Sequence, residues 1–320
     1  MQENKKSFFS KFKVLKHQIT YLIIVLIIIS IIGALINPRF LSARNLFNIL
    51  QQISVLGILT MMMSLLMISG GLDISIGNMA GLVGIVFVRM VLLGYNMALS
   101  VVVVLLLSTV LGAINGTIIA KSKVTPLIIT LGMMYVFYGI SLIIAGGRPH
   151  ALGGRFQFLG RADIGPIPFP IIVYIIIFLF AYFLRKYTKY GRRLNAIGGN
   201  VHTAYLSGIN VDAHLISMYA LSGLIVGLGG LVLASRLGMV RADSGTGLEL
   251  QALAAAIIGG ITFEGGRGSI VGAFFGVLLL GVMYNVMNIV GVSSYMQQIF
   301  LGAIIVIATV ISNIGKMTRT

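Results

Sequence analysis

The sequence predicts an all-α fold: a polytopic bundle of about ten transmembrane helices with both termini on the cytoplasmic side. Three observations predict it: 58% of the residues are hydrophobic, only 9% are charged, and the mean hydropathy is +1.04. A water-soluble domain carries about 25% charged residues, so a soluble globule is excluded. The chain therefore belongs in a membrane, and its polar segments are the connections between spans.

The spans can be read in order, because a helix needs about 20 mainly apolar residues to cross roughly 30 Å of hydrocarbon. Segments of this kind lie at approximately 20–37, 47–69, 72–93, 97–120, 125–146, 168–185, 214–236, 248–263, 269–290 and 296–313. The eighth, around LQALAAAIIGGITF, is short enough to be a re-entrant or broken helix. The first run is too long for a signal-peptide core and lacks a small-residue cleavage site, so it is predicted to be retained.

The distribution of basic residues predicts the orientation. With the N-terminus in the cytoplasm, every lysine falls on the cytoplasmic side, as the positive-inside rule expects. The lysines are Lys5, Lys6, Lys11, Lys13, Lys16, Lys121, Lys123, Lys186, Lys189 and Lys316. We accordingly expect a basic cytoplasmic arm at 1–19, a transmembrane domain at 20–313 with a cytoplasmic loop at 186–212, and a cytoplasmic tail at 314–320.

Several functional classes are excluded by what the sequence lacks. It has no cysteine, and its four histidines share no helical face, so no metal site is predicted. The formal net charge of +16 is spread through loops rather than along one face, which argues against nucleic acid. The stretch GTIIAKS at 116–122 has Ala120 where a phosphate loop needs glycine before the lysine. No catalytic residue, no cofactor and no ATP site is predicted in this chain.

Two Gly-rich breaks interrupt the apolar pattern in a similar way. They are SGGLDISIGNMAGLVG at 69–84 and IGGITFEGGRGSIVGAFFG at 258–276, and they contain Asp73 and Glu264. Their likeness suggests an internal repeat, and broken helices at matching places often mark a transport path. The alternative is a pair of turns at the membrane surface. Glycines about four residues apart within the spans predict close helix packing.

Polar residues in or near the spans are the candidates for the path. Asp73 and Glu249 are the acids closest to the spans, and both sit at predicted span ends, which is unlike the coupling carboxylates of ion-driven carriers. Neutral groups suit an uncharged hydroxylated solute, and the candidates are Asn78, Asn115, Thr125, Thr130, Asn285 and Asn288. Hydrogen bonding between helices would explain them equally well.

The longest polar connection lies at residues 185–213 and reads RKYTKYGRRLNAIGGNVHTAYLSGINVDA. A short turn would be enough to join two spans, so this segment is predicted to dock a cytoplasmic partner. Because the chain has no ATP site of its own, that partner would supply the energy. The alternative is a long basic loop held at anionic headgroups.

Four stretches carry a family resemblance: SGGLDISIG, YGRRLNAIGGNVHTAYLSGINV, RADSGTGLELQALAAAIIGGITFEGGRGSIVGAFFG and GVSSYMQQIFLGAIIVIA. Their order and spacing resemble those of the ribose/xylose-type sugar ABC transporter permeases over nearly the whole chain. The resemblance implies a non-enzymatic permease subunit of a binding-protein-dependent importer in the bacterial inner membrane. It also implies alternating access driven by ATP and Mg in a separate ATPase.

The resemblance further implies the partners and their contact residues. The chain would pair with a second copy or a related permease, dock an ABC ATPase on the cytoplasmic side, and receive solute from an extracytoplasmic sugar-binding protein. The residues that match the family's coupling loop are Gly191, Arg192, Arg193, Asn195, Gly198, Gly199 and Asn200. Arg236 and Arg241 are expected to meet acids on the binding protein, since the arginine fork suits carboxylates.

The sequence leaves the identity of the substrate and two other functional classes open. A monosaccharide such as ribose is the first expectation, and autoinducer-2 or inositol are alternatives within the same family. A different class, the ion-coupled secondary carrier, would place a coupling carboxylate at Asp73 or Glu249. An integral membrane enzyme would need a polar catalytic cluster at the interface, and none is found in the sequence.

Overall fold

The computed structural model describes residues 2–317, with side chains described for 19–307, 309 and 310. The side chains of the predicted arm up to residue 18 and of the tail at 314–320 lie outside the described residues, and with them the lysines of the arm and Lys316. The predicted all-α polytopic architecture is confirmed. The principal helices are α1 (Gln2–Ile36), α2 (Ala43–Ile68), α3 (Ile76–Leu92), α4 (Met97–Ser122), α5 (Pro126–Ala145), α6 (Phe158–Arg161), α7 (Phe169–Tyr187), α8 (Lys189–Gly199), α9 (Val201–Leu206), α10 (Val211–Leu237), α11 (Leu248–Ile258), α12 (Ile270–Val290) and α13 (Ser294–Met317).

Within the described chain, seven helices are long and apolar enough to cross a membrane. They are residues 19–36 of α1 together with α2, α4, α5, α7, α10 and α12. Three shorter apolar helices are α3, α11 and residues 294–307 of α13. Each of the ten predicted segments thus corresponds to one apolar helix.

The helix α2 lies at the centre of the bundle and packs against α7, α10, α11 and α12. Its sequence explains this position, because ISVLGILTMMMSLLMI is apolar around the whole helix and every residue from Ile53 to Ile68 is buried. The small residue Gly57 lets the ring of Tyr174 on α7 lie against the α2 backbone. By contrast, α4 and α5 are mostly exposed, as expected for helices that face lipid or a partner.

The close packing predicted from the span glycines is confirmed within the chain at the crossing of α4 and α10. A Cβ atom on Gly112 would meet the carbonyl oxygen of Tyr219, and one on Gly223 would meet the carbonyl oxygen of Ser108. Gly227 lies against the side chain of Ser108 in the same way. Small residues one turn apart on both helices therefore bring the two backbones into contact, as is common between helices in lipid.

The eighth predicted span is short in the structure. The helix α11 has 11 residues, which is about 16 Å and roughly half of the hydrocarbon thickness. It starts after Gly247 in the left-handed region, with φ 89°, and ends at Gly259. The segment before it lies along α3, with the backbone of Gly245 against Gly77 and the side chain of Val240 against Gly84. Residues 238–269 therefore return the chain from the end of α10 to the start of α12.

Contacts between loops group the helix ends at two faces of the bundle. On one face, Lys121 in the last turn of α4 pairs with Asp212 at the start of α10, with a 2.8 Å Nζ–Oδ2 distance. The opposite face carries two short antiparallel ladders, in which β1 (His150–Ala151) pairs with β4 (Met239–Val240) and β2 (Asp163–Ile164) with β3 (Ile167–Pro168). The loops predicted to be cytoplasmic lie together on the first face, here called the α8 end.

The crossing of α4 and α10 generates a stability prediction. We expect Gly223→Ala to lower the thermal unfolding midpoint of the detergent-solubilised chain, because overpacking a tight contact costs about 1–3 kcal/mol. The matched control is Gly139→Ala on α5, where an added Cβ meets no atom within 4 Å. Equal midpoints for the two variants would contradict the crossing described here.

Candidate functional site

The first element of the site is the break between α2 and α3. The chain leaves α2 through Ser69 and Gly70, which has φ 81°, and does not resume a helix until Ile76. The phenol of Tyr219 on α10 fixes this break, since its hydroxyl donates to the carbonyl oxygen of Leu72 at 2.9 Å and accepts from the Leu72 N–H at 3.2 Å. A buried backbone segment outside a helix needs such partners.

Asp73 forms the centre of a buried polar network in this break and is only 1% exposed. One carboxylate oxygen accepts from the backbone N–H and the hydroxyl of Ser75, and the other accepts from the Asn115 amide on α4 at 3.4 Å. The Asn115 amide also donates to the Ser75 hydroxyl at 3.0 Å. The Ile74 N–H donates to the Thr130 hydroxyl on α5 at 3.3 Å. The network thus joins the break to two neighbouring helices.

Asn78 and Glu249 extend the cluster toward α11. The Asn78 side chain accepts from the Thr246 hydroxyl at 2.9 Å and donates to the Met134 carbonyl oxygen at 3.1 Å. Both carboxylate oxygens of Glu249 accept from the Gly247 N–H, at 3.0 and 3.1 Å. A Cβ on Gly77 would meet the Glu249 carboxylate, so the first turns of α3 and α11 are in direct contact.

The eight predicted path residues therefore separate into two groups. Five of them border the start of α3: Asp73, Asn78, Asn115, Thr130 and Glu249. The other three lie elsewhere. Thr125 is exposed at the start of α5. Asn285 exchanges two hydrogen bonds with Asn45, at 3.0 and 3.1 Å, and Asn288 accepts from Gln297 at 2.8 Å.

The predicted coupling loop contains an amphipathic helix, α8. The Thr188 hydroxyl caps it by accepting from the Gly191 N–H at 3.0 Å. The buried side of α8 is formed by Gly191, Leu194, Ile197 and Gly198, and the exposed side includes Arg192, Arg193, Gly199 and the following Asn200. Asn195 lies between them and donates to the Gly191 carbonyl oxygen at 3.1 Å. One side of α8 is thus attached to the bundle and the other is free for a partner.

The attachment of α8 is a contact between backbones, here called the glycine junction and formed by Gly70, Gly198, Gly265 and Gly266. A Cβ on Gly198 would meet the carbonyl oxygen of Ile68 at the end of α2, and the Gly266 N–H donates to the same oxygen at 2.7 Å. A Cβ on Gly265 would lie 2.9 Å from the Gly70 Cα. The end of α8 therefore contacts both Gly-rich breaks, the two segments whose likeness in sequence suggests an internal repeat.

The two arginines expected to meet a binding protein lie away from the α8 end and differ in their surroundings. Arg236 is half-buried and donates to the carbonyl oxygens of Gln52 and Gln51, at 2.8 and 3.3 Å. Arg241 is exposed and pairs with Asp243, with a 3.1 Å Nε–Oδ1 distance. It borders a cavity of about 330 Å³ that Arg148 and Tyr138 also line.

Sequence reasoning missed two parts of the site. Tyr219 was not among the candidate residues, although a phenol within an apolar helix calls for a hydrogen-bond partner. Tyr190 on α8 was also missed: its hydroxyl lies 2.8 Å from that of Ser217 on α10, and its ring stacks on His214. Partial burial raises the pKa of Tyr190. Among the described side chains, no group of three potential metal ligands is found.

Comparison with known proteins gives a consistent result. Residues 45–309 match the family described as the permease component of branched-chain amino acid transport systems. The ribose import permease protein RbsC of Escherichia coli is 37% identical over 91% of this chain and 92% of its own length. The protein of the same name from Bacillus subtilis is 38% identical over 89% and 90%. The D-allose transport system permease protein AlsC of Escherichia coli is 35% identical over 91% and 90%. No solved structure matches the chain.

The Tyr219 clamp generates a second prediction. In Tyr219→Phe, the N–H and carbonyl oxygen of Leu72 lose their partner, and an unsatisfied buried polar group costs about 1–3 kcal/mol. We expect a lower unfolding midpoint and faster hydrogen exchange in a peptide covering 69–75. Tyr284→Phe is the control, because that half-buried hydroxyl has no hydrogen bond among the described residues. Unchanged exchange in Tyr219→Phe would contradict the clamp.

Proposed function

The chain belongs to the family of membrane permease components of branched-chain amino acid transport systems, and we propose that it is the membrane-spanning subunit of an ATP-driven, binding-protein-dependent importer of a monosaccharide. The relatives named for sugar import match almost the whole chain, and they support a sugar rather than an amino acid as the solute. As a multi-pass protein of the bacterial inner membrane, the chain provides the path for the solute and does not itself hydrolyse ATP.

The observation that carries this proposal is the arrangement of α8. Its buried side reaches the ends of both helix breaks through the glycine junction, and its exposed side presents Arg192 and Arg193. A helix that is attached on one side and basic on the other suits a subunit that receives a movement from a partner. The coupling residues proposed from the resemblance all lie on or directly after this helix.

The partner that moves α8 would be an ABC ATPase, which supplies ATP and Mg. A second copy of this chain or a related permease would complete the membrane part, and a sugar-binding protein would deliver the solute on the other side. The cavity that Arg148, Arg241 and Asp243 line supports the proposed docking of that protein, because it presents the exposed guanidinium of Arg148, and that of Arg241 beside its partner Asp243, to acids. Arg236 would act there through its hydrogen bonds to Gln51 and Gln52 of α2.

The mechanism proposed is alternating access. When the ATPase closes, α8 moves, and the glycine junction passes that movement to the breaks at 69–75 and 259–269. The network around Asp73 and the contact of Asn78 with Thr246 would then rearrange, which changes the side on which the path between α3 and α11 is open. Their neutral amide and hydroxyl groups offer hydrogen bonds of the kind that a sugar exchanges with water.

Ribose or a related simple sugar is the proposed solute. Import of autoinducer-2 or inositol is the alternative within the same mechanism. A second class, the ion-coupled secondary carrier, is favoured by one observation, the buried carboxylate of Asp73, which has no described cation as a partner.

Reconstitution distinguishes these functions. The chain is purified gently from native membranes, attached proteins are identified by mass spectrometry, and ribose uptake is measured in vesicles with and without ATP. Recovery of a two-domain ATPase and a sugar-binding protein, with uptake that requires ATP, is the expected result. Uptake that proceeds without ATP and is abolished by an uncoupler would show an ion-coupled carrier instead of an ATP-driven importer.

Two neighbouring glycines test the junction. In Gly198→Ala, the new methyl group meets Ile68 and Gly266, whereas in Gly199→Ala it meets no atom within 4 Å. We expect Gly198→Ala to reduce uptake by about tenfold, which corresponds to a rise of about 1.4 kcal/mol in the free-energy barrier of the coupled step. The ATPase should still co-purify with this variant. Gly199→Ala should keep uptake near the parent level, and equal losses in both variants would contradict the junction.

The basic side of α8 gives a separate prediction. The double variant Arg192→Glu with Arg193→Glu should lose most of the co-purifying ATPase, because reversed charge at an interface repels the former partner. Lys123→Gln is the control, since it removes an exposed base elsewhere at the α8 end. Normal recovery of the ATPase with the double variant would rule out a leading electrostatic role for the pair.

A further inference from the structure

The last turn of α7 holds a lysine between aromatic rings. The Lys186 ammonium donates to the Tyr182 hydroxyl at 2.7 Å and lies 5.1 and 5.3 Å from the ring centroids of Tyr182 and Tyr187. The ring of Phe183 lies beside that of Tyr187, with centroids 5.7 Å apart. Cation–π attraction acts at these distances, so the ammonium has a defined position. The Tyr187 hydroxyl is a second hydrogen-bond partner of this ammonium, and of its three N–H donors one remains for a ligand.

A second exposed base follows this lysine. Lys189 is the first residue of α8, whereas Arg185 lies about 100° around α7 from Lys186 and is half-buried. Among the residues with described side chains, the ion pairs join Lys121 to Asp212 and Arg241 to Asp243. Neither of these ion pairs involves Lys186 or Lys189. Two exposed positive charges outside the ion pairs, close together in the chain, are suited to an anionic ligand.

An apolar stripe leads along α7 toward these two lysines. Ile176, Leu179, Phe183 and Tyr187 lie three or four residues apart on one side of the helix and are 58%, 54%, 58% and 57% exposed. In a spanning helix such a stripe faces acyl chains, and tyrosines at its end lie at the level of the headgroups. The ligand that matches both parts has a hydrocarbon chain and an anionic head.

We propose that Lys186 and Lys189, with the rings of Tyr182 and Tyr187, form a binding site for the headgroup of an anionic phospholipid. The phosphate accepts from the N–H of Lys186 that the tyrosines leave free and from Lys189, and one acyl chain follows the stripe toward Ile176. The orientation of Lys186 by Tyr182 distinguishes this site from the general attraction of a basic loop to a charged surface. The site also holds the end of α7 beside Thr188, the residue that caps α8.

The absence of tryptophan in the chain allows a direct test. Phe183→Trp places a single fluorophore in the stripe, and Tyr295→Trp places one at the exposed start of α13, away from the two lysines. Each variant is reconstituted in vesicles of equal parts phosphatidylglycerol and phosphatidylcholine, with one lipid or the other brominated, and bromine quenching reports which lipid contacts the fluorophore. Because both leaflets have the same composition, the orientation of the chain does not affect the result.

We expect a preference of about threefold for phosphatidylglycerol at position 183, since each base near a membrane surface adds attraction for anionic lipid, and no preference at position 295. Lys186→Gln with Lys189→Gln should remove the preference, and Lys186→Arg and Lys123→Gln should retain it. Equal quenching by both lipids at position 183 would overturn the proposal. Loss of the preference in Lys123→Gln would overturn it as well, because the attraction would then depend on total charge. Elution of each variant as one peak in size-exclusion chromatography confirms that it is folded.

Discussion

The structure depends on close contact between helix backbones. Glycine permits this contact because it has no side chain, and in lipid such contact is a main source of helix association. Apolar side chains gain little by leaving a hydrocarbon solvent for a protein interior, so helices in a membrane associate through close packing and polar contacts. At the crossing of α4 and α10, Gly112 and Gly223 allow that approach, and at the α8 end the glycine junction repeats it between loops. The same property that stabilises the bundle therefore connects α8 to both Gly-rich breaks.

The polar network around Asp73 follows from the same close packing, which buries the break between α2 and α3. Where α2 stops, backbone groups are left without helical partners at a buried position, and Tyr219, Ser75, Asn115 and Thr130 satisfy them or the carboxylate beside them. Such a network is strong in a low dielectric only while every member keeps its partner. Its members come from the break and from α4, α5 and α10, so a displacement of the break is felt by three helices at once.

The sequence predicted the helices well because hydrophobic length is a local property, and even the shortness of α11 could be read from LQALAAAIIGGITF. The site was predicted in part. Asp73 and Glu249 were selected as acids near spans, and the structure places both at the start of α3. Asn285 looked equivalent to Asn115, yet it bonds to Asn45 at another place, because composition does not say which face of a helix meets which neighbour. Gly198 and Gly199 were also alike in sequence, and only the packing separates the buried one from the exposed one.

The shortness of α11 has a consequence for biosynthesis. Both α10 and α12 begin at the α8 end and run in the same direction, so the chain must cross back between them. That crossing contains an 11-residue helix, about half of what an insertion machinery recognises as a span. The loop before it can remain at that depth only where α3 shields its backbone from lipid. We therefore expect the packing of this segment on α3 to contribute to the orientation of α12 and α13, so that an early helix helps to place the late ones.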